Sequence, residues 1–331
     1  MNPCKGFALV LVLWVLSLLT IMAGSFALSM RREAAIVTGS SHNAQAMAVA
    51  ESGLAVAELM LLNPDQLQRW RTDGSLYQLD YVKSKVRIQL LAEVGKIDVN
   101  SADQTLLQNL MTSSPLDTEQ QNQLINALLD WRDSDDLVRL EGAEKGEYKK
   151  QGLSYQPSNK PFQSLEELQL VLGMTEQVFK WLENRVTVYS GQPKVDLTQA
   201  TKEVLLVLPG IDTSLIDNYI AVRTENAING LPAPPFEGFG ATLSGTTSLP
   251  QAIPATGGAT QSGMITVITE AILDDGSTAT IKALIKKAEN AGTEPFEVQR
   301  WQGNASLDGS LFTDEKNELL VRQYGEPEFN N

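Results

Sequence analysis

The sequence predicts an α+β protein. Its long N-terminal helix is a transmembrane helix in the first half and packs on an antiparallel sheet, into which a large all-helical domain is inserted. Three observations support this prediction. Residues 7–30 carry no formal charge, segments rich in β-branched residues flank the middle of the chain, and the middle contains an internal repeat.

The membrane span covers residues 7–30 and is bounded by Lys5 and Arg31. At about 1.5 Å per residue it extends about 36 Å, enough to cross a hydrocarbon core of about 30 Å. A secretory signal peptide has a shorter apolar region, of about 7 to 15 residues. The helical pattern also continues through residues 31–62. We therefore predict one long helix that begins in the membrane and continues outside it.

Strands are predicted on both sides of the insertion. Residues 81–91 are rich in β-branched residues and alternate in part, so residues 63–95 are assigned to the first part of the sheet. Residues 264–303 are predicted to complete the same sheet. Residues 230–263 are rich in Gly, Pro, Ser and Thr, which is the composition of a flexible linker. Residues 304–331 are predicted to form a polar, frayed tail, in which Leu311-Phe312 and Leu319-Leu320-Val321 are the apolar groups able to dock.

The predicted helical insertion, residues 96–229, contains a repeat with an offset of 98 residues. Lys96-Ile97-Asp98-Val99 aligns with Lys194-Val195-Asp196-Leu197, and Ala102 aligns with Ala200. Each copy offers polar side chains that can cap a helix whose apolar face then begins. Two copies are too few for a solenoid, so we predict two related helical subdomains.

Nucleic-acid binding is not expected. The chain has 26 Lys and Arg against 40 Asp and Glu, a net charge of −14, which repels a polyanion. The second repeat ends in Leu208-Pro209-Gly210-Ile211, which resembles the turn of a helix-hairpin-helix DNA module. That module is usually flanked by basic residues, whereas Asp212 follows here. We interpret this segment as a packing motif between two helices.

Cysteine and histidine are almost absent. Cys4 is the only cysteine and precedes the apolar run, so a disulfide framework is excluded. His42 is the only histidine and is expected to be a solvated helical residue. Zinc sites and histidine-based catalysis therefore lack the residues that they need.

The densest group of carboxylates lies in residues 128–148, LLDWRDSDDLVRLEGAEKGEY. The candidate ligands are Asp130, Asp133, Asp135 and Glu144. Calcium takes about six to eight oxygen ligands from a loop that can wrap around it, and Gly142 and Gly146 supply turns. The spacing of an EF-hand is absent. The spacing leaves two interpretations open, a calcium site and a solvated acidic loop.

The chain begins with MNPCKG before Phe7, a short leader that ends in Lys-Gly. This start resembles the signal of type IV prepilins and type II secretion pseudopilins, which a membrane aspartic peptidase cuts after the glycine before methylating the new N-terminus. The resemblance implies a leader of residues 1–6 and processing between Gly6 and Phe7. An ordinary single-pass anchor with a chance Gly-Phe pair is the alternative.

One position departs from that family. Most such subunits carry a glutamate five residues into the mature chain, where this sequence has Leu11. A carboxylate inside the bilayer costs about 2.5 to 3.5 kcal/mol on insertion scales, and in pilins its partner is thought to be the N-terminal amine of the subunit ahead. A subunit with none ahead does not need the carboxylate. Leu11 therefore fits a subunit at the tip of a filament, and a lost assembly function is the other interpretation.

Residues 130–148, residues 161–174 and GKIDVNSA at 95–102 are similar to the minor pseudopilin K family of the type II secretion system, also called general secretion pathway protein K. The resemblance extends over about residues 6–223. It implies a pilin-like fold with a large helical insertion, bound calcium, and a position at the pseudopilus tip with the minor pseudopilins I and J. For calcium, we expect ligands from Asp133, Asp135 and Glu144, with Asp130 as a further candidate.

The resemblance also implies a place in the bacterial inner membrane, with a cytoplasmic N-terminus and most of the chain in the periplasm. The implied partners are the I and J minor pseudopilins, the major pseudopilin, the prepilin peptidase and the inner-membrane assembly platform. The implied function is structural and not enzymatic: to initiate or cap the pseudopilus that exports folded proteins across the outer membrane. A minor pilin for DNA uptake or adhesion is the alternative. A membrane-anchored hydrolase is not expected, because the sequence contains neither a serine elbow nor an HExxH motif.

Overall fold

A computed structural model describes residues 5–236, 263–288, 295–305 and 309–324. The helices are α1 (Lys5–Leu61), α2 (Gln104–Thr112), α3 (Thr118–Arg132), α4 (Lys145–Lys150), α5 (Glu176–Glu183), α6 (Lys202–Leu205), α7 (Thr213–Ile228) and α8 (Asp314–Asn317). The strands are β1 (Asp73–Tyr81), β2 (Ser84–Ala92), β3 (Ile97–Asp98), β4 (Val186–Thr187), β5 (Met264–Leu273), β6 (Thr278–Lys287), β7 (Phe296–Gly303) and β8 (Leu320–Tyr324). The predicted linker, 230–263, falls mostly on residues 237–262, outside the described residues.

Helix α1 is the dominant element of the chain. It contains 57 residues, which corresponds to about 86 Å at about 1.5 Å per residue. Every side chain described from residue 9 to residue 41 is exposed. Within the described part of the chain, α1 is the one helix long and apolar enough to cross a membrane. The prediction of a long apolar N-terminal helix is confirmed.

The second half of α1 packs on the sheet through small residues. The buried stripe consists of Ala46, Ala50, Gly53 and Ala57. A Cβ atom on Gly53 would lie 2.7 Å from Cγ1 of Val86, so glycine is needed for this close approach. His42, for which the sequence predicts a solvated side chain, instead pairs with Asp275 in the turn between β5 and β6.

The main sheet has six strands in the order β7-β6-β5-β2-β1-β8. All neighbouring pairs are antiparallel except β1 and β8. Strands β2 and β5 pair over their whole length, from Ser84 with Leu273 to Ala92 with Ile265, although residues 93–263 separate them in sequence. The prediction that the segments before and after the middle of the chain form one sheet is therefore confirmed.

The C-terminal segment is not a frayed tail over its described residues, and the two apolar groups named above dock on the sheet. Residues 320–324 form the edge strand β8, parallel to β1. Val321 and Tyr324 pack against the core beneath α1, and Nε1 of Trp70 donates a hydrogen bond of 2.9 Å to Oη of Tyr324. This contact between apolar side chains and an exposed sheet edge outweighs the polar composition of the tail. Residues 325–331 lie outside the described part.

The segment between β2 and β5 has an apolar core of its own, built from residues 97–219. The core beneath α1 is a separate cluster. The prediction that this segment is all-helical is wrong in one respect, because β3 and β4 form a two-stranded parallel sheet. Ile97 and Val186, which pair in it, are both fully buried. Burying these β-branched side chains favours the extended conformation at the start of the first repeat and just before the second.

The predicted repeat is visible as two helical hairpins, α2–α3 and α6–α7. A tight turn precedes the first helix of each hairpin. In each turn an aspartate carboxylate accepts the backbone N–H of the residue two positions ahead. These bonds are 2.8 Å at Asp98 and 2.9 Å at Asp196. Gly210, in the Leu208–Ile211 turn between α6 and α7, has a φ of +76°. The turn that resembled a DNA module thus joins two packed helices.

An arginine near or at the end of the second helix completes each hairpin. Nη2 of Arg132 donates to the carbonyl oxygen of Ala102 at 2.6 Å. Nη1 of Arg223 donates to the carbonyl oxygen of Ala200 at 2.7 Å. Since Ala102 and Ala200 are equivalent in the repeat, the two arginines bind corresponding backbone positions.

A buried acidic residue joins this segment to the main sheet. Oε1 of Glu93 accepts bonds of 2.7 Å from Nζ of Lys96 and from Oγ1 of Thr266 on β5, and Oε2 accepts from Thr187 on β4. Burial alone would raise the pKa of Glu93, but attraction to Lys96 and the hydrogen bonds lower it. Further ion pairs across this boundary are Lys282–Glu183 and Arg300–Glu166.

Candidate metal centre

The acidic segment lies between α3 and α4, and both of its ends are anchored in the apolar core. Helix α3 ends before Asp133, and Glu144 precedes α4. Trp131 stacks on Phe162 with ring centroids 5.9 Å apart, and Tyr148 is fully buried. Regular structure therefore holds the first and last carboxylates of the loop.

Asp130 is the most deeply buried of the predicted ligands, with none of its surface exposed. Its Oδ2 accepts the backbone N–H groups of Ala143 at 2.9 Å and Arg139 at 3.2 Å. Its Oδ1 accepts Nη1 of Arg139 at 2.7 Å. A Cβ atom on Gly142 would overlap Oδ2, so the loop can close over this carboxylate only with glycine at that position.

Asp133 and Glu144 each carry a buried oxygen without a partner. Oδ2 of Asp133 contacts the same Nη1 of Arg139, but Oδ1 of Asp133 and Oε1 of Glu144 have no hydrogen-bond partner among the described residues. Burial raises the pKa of Glu144 to about 7, and repulsion from Asp130 and Asp133 adds to the shift. The pocket therefore disfavours the ionised form of Glu144, and a bound cation would favour that form.

Asp135 lies apart from these three residues. It is exposed, and its Oδ1 accepts the backbone N–H of Leu137 at 2.9 Å. Its neighbour Asp136 accepts Nδ2 of Asn159 at 2.8 Å. In the part of the chain that the structure describes, no group of three or more His, Cys, Asp or Glu side chains is gathered as a metal site.

The chemistry of the donors nevertheless fits a hard cation. Buried carboxylate oxygens without a partner are costly, because each has lost water without gaining a hydrogen bond. Calcium binds oxygens of this kind in irregular loops. The guanidinium of Arg139 supplies the positive charge between Asp130 and Asp133 in this conformation.

Sequence reasoning missed Arg139 and Asn159 as partners of the acidic residues. The segment contains other basic residues, and only the path of the loop decides which one reaches Asp130. Asn159 lies outside the acidic segment and has a positive φ of 49°, which no charge pattern indicates. The processing residues Gly6 and Phe7 lie in the first turn of α1, and the geometry does not test cleavage there.

Comparison with known proteins finds a matching family model and similar solved structures. A family model described as type II secretion system (T2SS), protein K, matches residues 84–191. The fold is similar to a chain in the crystal structure of the GspK-GspI-GspJ complex from the enterotoxigenic Escherichia coli type 2 secretion system. The similarity has a TM-score of 0.50 at 15% identity and covers 84% of this chain and 99% of that one. No curated protein matches the sequence.

The apolar N-terminal helix that continues over a mostly antiparallel sheet fits a single-pass membrane anchor. The matched residues 84–191 include β2, both elements of the small parallel sheet and the acidic segment. Over these residues the chain matches the type II secretion system protein K family.

Proposed function

We propose that the chain is a minor pseudopilin at the tip of the type II secretion pseudopilus, where it initiates or caps assembly and has no catalytic role. The observation that carries the proposal is the protein K match over residues 84–191. The fold similarity to a chain of a complex with GspI and GspJ supports I-type and J-type minor pseudopilins as its partners. The proposed setting is the inner membrane, with most of the chain in the periplasm.

Leu11 supports the tip position. It lies within the apolar part of α1 and is 53% exposed, so a substitution there changes the surface that faces lipid or a neighbouring helix. A glutamate at this position needs a positive partner ahead of it in the fibre, because a carboxylate in the bilayer costs about 2.5 to 3.5 kcal/mol on insertion scales. A subunit at the tip has no subunit ahead of it and therefore does not need the glutamate.

Processing is tested first, in a strain that lacks the gene and is complemented with variants. Gly6→Val is expected to leave an unprocessed precursor and to abolish secretion, whereas Gly24→Val is expected to be processed normally. Gly24 lies in the same span with nothing within 4 Å of an added Cβ. A Gly6→Val protein that migrates at the mature size would contradict the prepilin interpretation.

The position in the fibre is tested by labelling the wild-type chain in assembled pseudopili. Label is expected at fibre ends, and the chain is expected to co-purify with the I-type and J-type subunits. Leu11→Glu is expected to give no gain in assembly, and Leu11→Gln separates the effect of charge from that of polarity. Label distributed along the whole fibre would rule out a tip position while leaving membership of the secretion system intact.

We also propose that the acidic segment binds calcium. Asp130, Asp133 and Glu144 would supply the inner oxygens and Asp135 a further one. The support is the pair of buried oxygens without partners and the raised pKa of Glu144. When bound, the ion supplies the positive charge that lets several carboxylates remain ionised close together. The protein's own part is to hold these residues at the ends of α3 and α4.

A further inference from the structure

A cleft of about 230 Å³ opens where three distant parts of the chain meet. One wall is the segment 66–71 that follows α1, the second is the end of α7 and the residues after it, and the third is strand β8. None of these parts belongs to the acidic segment, and the cleft has no role in the function proposed above.

The cleft is cationic although the chain as a whole has a net charge of −14. Arg69, Arg71 and Arg322 line it, and among the described residues no carboxylate forms an ion pair with any of them. Their hydrogen bonds go to neutral oxygens: Arg71 donates to the carbonyl oxygen of Arg223 at 3.1 Å, and Arg322 donates to Oε1 of Gln68 at 2.6 Å. Each guanidinium has five N–H groups, so donors remain for a ligand.

The mouth of the cleft is also apolar. Leu67 and Leu231, which line it, are 60% and 51% exposed. The inner wall is aromatic, with Trp70 stacked on Tyr77 at a centroid distance of 4.1 Å. Both rings are buried and cannot rearrange easily. A ligand that fits this surface carries negative charges for the arginines and apolar side chains for the two leucines.

The position of the cleft excludes membrane phosphates as the source of the negative charge. It lies beyond the end of α1 at Leu61, whereas the uncharged span ends at Met30. The intervening helix extends about 46 Å at about 1.5 Å per residue, several times the screening length of about 8 Å at physiological salt. A long nucleic acid would meet the strongly negative remainder of the chain.

We propose that this cleft binds an acidic peptide segment of another protein, a segment in which carboxylates alternate with apolar side chains. Arg69 and Arg322 bind the carboxylates, since guanidinium groups pair with carboxylates through parallel hydrogen bonds. Leu67 and Leu231 cover the apolar side chains. Recognition of acidic segments by clustered arginines is a general mode of peptide binding. The proposal does not depend on calcium or on a position at the fibre tip.

The test uses the full chain in detergent micelles and a short fluorescein-labelled peptide of alternating glutamate and leucine. We expect saturable binding by fluorescence anisotropy that weakens as salt is raised. The same peptide with glutamine in place of glutamate is expected to bind about tenfold more weakly, because the charge-assisted bonds are lost. A single-stranded oligonucleotide serves as a second anionic probe.

The matched variants separate the site from the overall charge. Arg69→Glu with Arg322→Glu is expected to reduce affinity for the acidic peptide about tenfold or more. Lys83→Glu, in the turn before β2, with Lys85→Glu, at the start of β2, changes the net charge equally at two exposed positions and is expected to leave affinity within about twofold. Arg69→Gln with Arg322→Gln is the second test if charge reversal lowers the melting temperature.

Three results would overturn the proposal. They are absence of saturable binding by the acidic peptide, equal affinity for the glutamine peptide, and equal loss in the Lys83 and Arg69 double variants. Oligonucleotide binding that competes through the same arginines would overturn the peptide as the ligand class. The secretion phenotype of Gly6→Val is independent of all these results, so failure of this proposal leaves the proposed function standing.

Discussion

The two helical hairpins of the central segment share a frame but differ in the chain segment that leaves their second helix. In the first, α2–α3, the chain continues into the acidic loop. In the second, α6–α7, it continues along the wall of the cleft that contains Arg71 and Arg322. Arg132 and Arg223, which stand at different positions of the repeat, bind equivalent carbonyl groups at Ala102 and Ala200. Contacts to the backbone therefore maintain the common hairpin structure. The charge of the segment that follows each hairpin is set by residues outside the hairpin.

The arginines of the frame are themselves in different surroundings. Arg223 is 4% exposed and also donates to the carbonyl oxygen of Asp73 at 2.8 Å, with the Asp73 carboxylate 3.5 Å from Nε. Arg132 is half-buried, and its hydrogen bonds to Val99 and Ala102 lie within its own hairpin. The second hairpin is thus tied to strand β1 of the main sheet, whereas the first arginine stabilises its own hairpin.

The largest expected effect comes from breaking this tie. Arg223→Ala leaves Asp73, which is 2% exposed, without its cation, and such a loss costs about 3 to 5 kcal/mol. Arg132→Ala removes charge-assisted hydrogen bonds to carbonyl groups, a loss of about 1.5 to 3 kcal/mol. Urea unfolding measures both. In the double variant Arg223→Ala with Asp73→Asn, the loss should be smaller than the sum. Equal losses for the two arginines would contradict the distinction between the hairpins.

The second expected effect concerns Glu93, which precedes the first hairpin and has no acidic counterpart before the second, because the offset of 98 residues places Gly191 there. Glu93→Gln leaves Lys96, 7% exposed, without a counter-charge, and we expect a loss of about 3 to 5 kcal/mol at neutral pH. The folded pKa of Glu93 is lowered relative to about 4.3 in the unfolded chain. Its contribution is therefore complete above about pH 4.3 and is lost as the pH falls through the folded pKa.

Unfolding of wild type and Glu93→Gln across this pH range checks the sign. The difference in free energy of unfolding should shrink as the pH falls below about 4.3. Glu176→Gln is the control, because Glu176 pairs with Lys180 on the exposed surface of α5 and should change stability little. A difference that stays constant down to acid pH would show that the ionised carboxylate is not what joins the segment to the sheet.

Calcium is expected to act on the exit of the first hairpin only. An ion that binds the folded state alone stabilises it by about 2.7 kcal/mol at a hundredfold excess over Kd. The melting temperature should rise in calcium relative to chelator, and less in magnesium, which demands a small octahedral shell. Asp133→Ala with Asp135→Ala should remove most of this rise. Asp314→Ala with Glu315→Ala removes the same charge from α8, and this variant should retain the rise in melting temperature. If the wild-type protein melts at the same temperature in chelator and in calcium, the acidic segment is a solvated loop and not a calcium site.

The sequence predicts the parts of the fold that depend on local pattern. The uncharged run of residues 7–30 predicts α1, the β-branched segments predict the main sheet, and the offset of 98 residues predicts the paired hairpins. The parallel pair β3–β4 was missed because two residues per strand leave no periodicity. Docking of Leu319-Leu320-Val321 is anticipated by their apolar character, but strand β8 is not, because it depends on contacts with Trp70 and the edge of β1, which composition does not contain.

The candidate metal centre shows the same limit at the level of side chains. Charge density predicts Asp130, Asp133, Asp135 and Glu144 as one set. The structure gives them different surroundings: Asp130 is buried and accepts three hydrogen bonds, whereas Asp135 is exposed. The difference arises from the path of residues 133–144, which brings Arg139 back onto α3. A loop path of this kind follows from tertiary contacts and not from the spacing of charges.

The smallest expected effect tests that loop path with a single methyl group. Gly142→Ala places a Cβ against Oδ2 of Asp130, and Asp130 cannot move away without losing its bonds to Ala143 and Arg139. Overpacking of this kind costs about 1 to 3 kcal/mol. Gly146→Ala is the matched control, since it lies in α4 with nothing within 4 Å of an added Cβ. Alanine is favoured over glycine in a helix by about 1 kcal/mol, so this variant should be neutral or slightly more stable. Urea unfolding in chelator compares the two without the contribution of an ion. If both glycines tolerate alanine equally, the loop does not close over Asp130, and the difference between the two hairpin exits would then be one of charge alone.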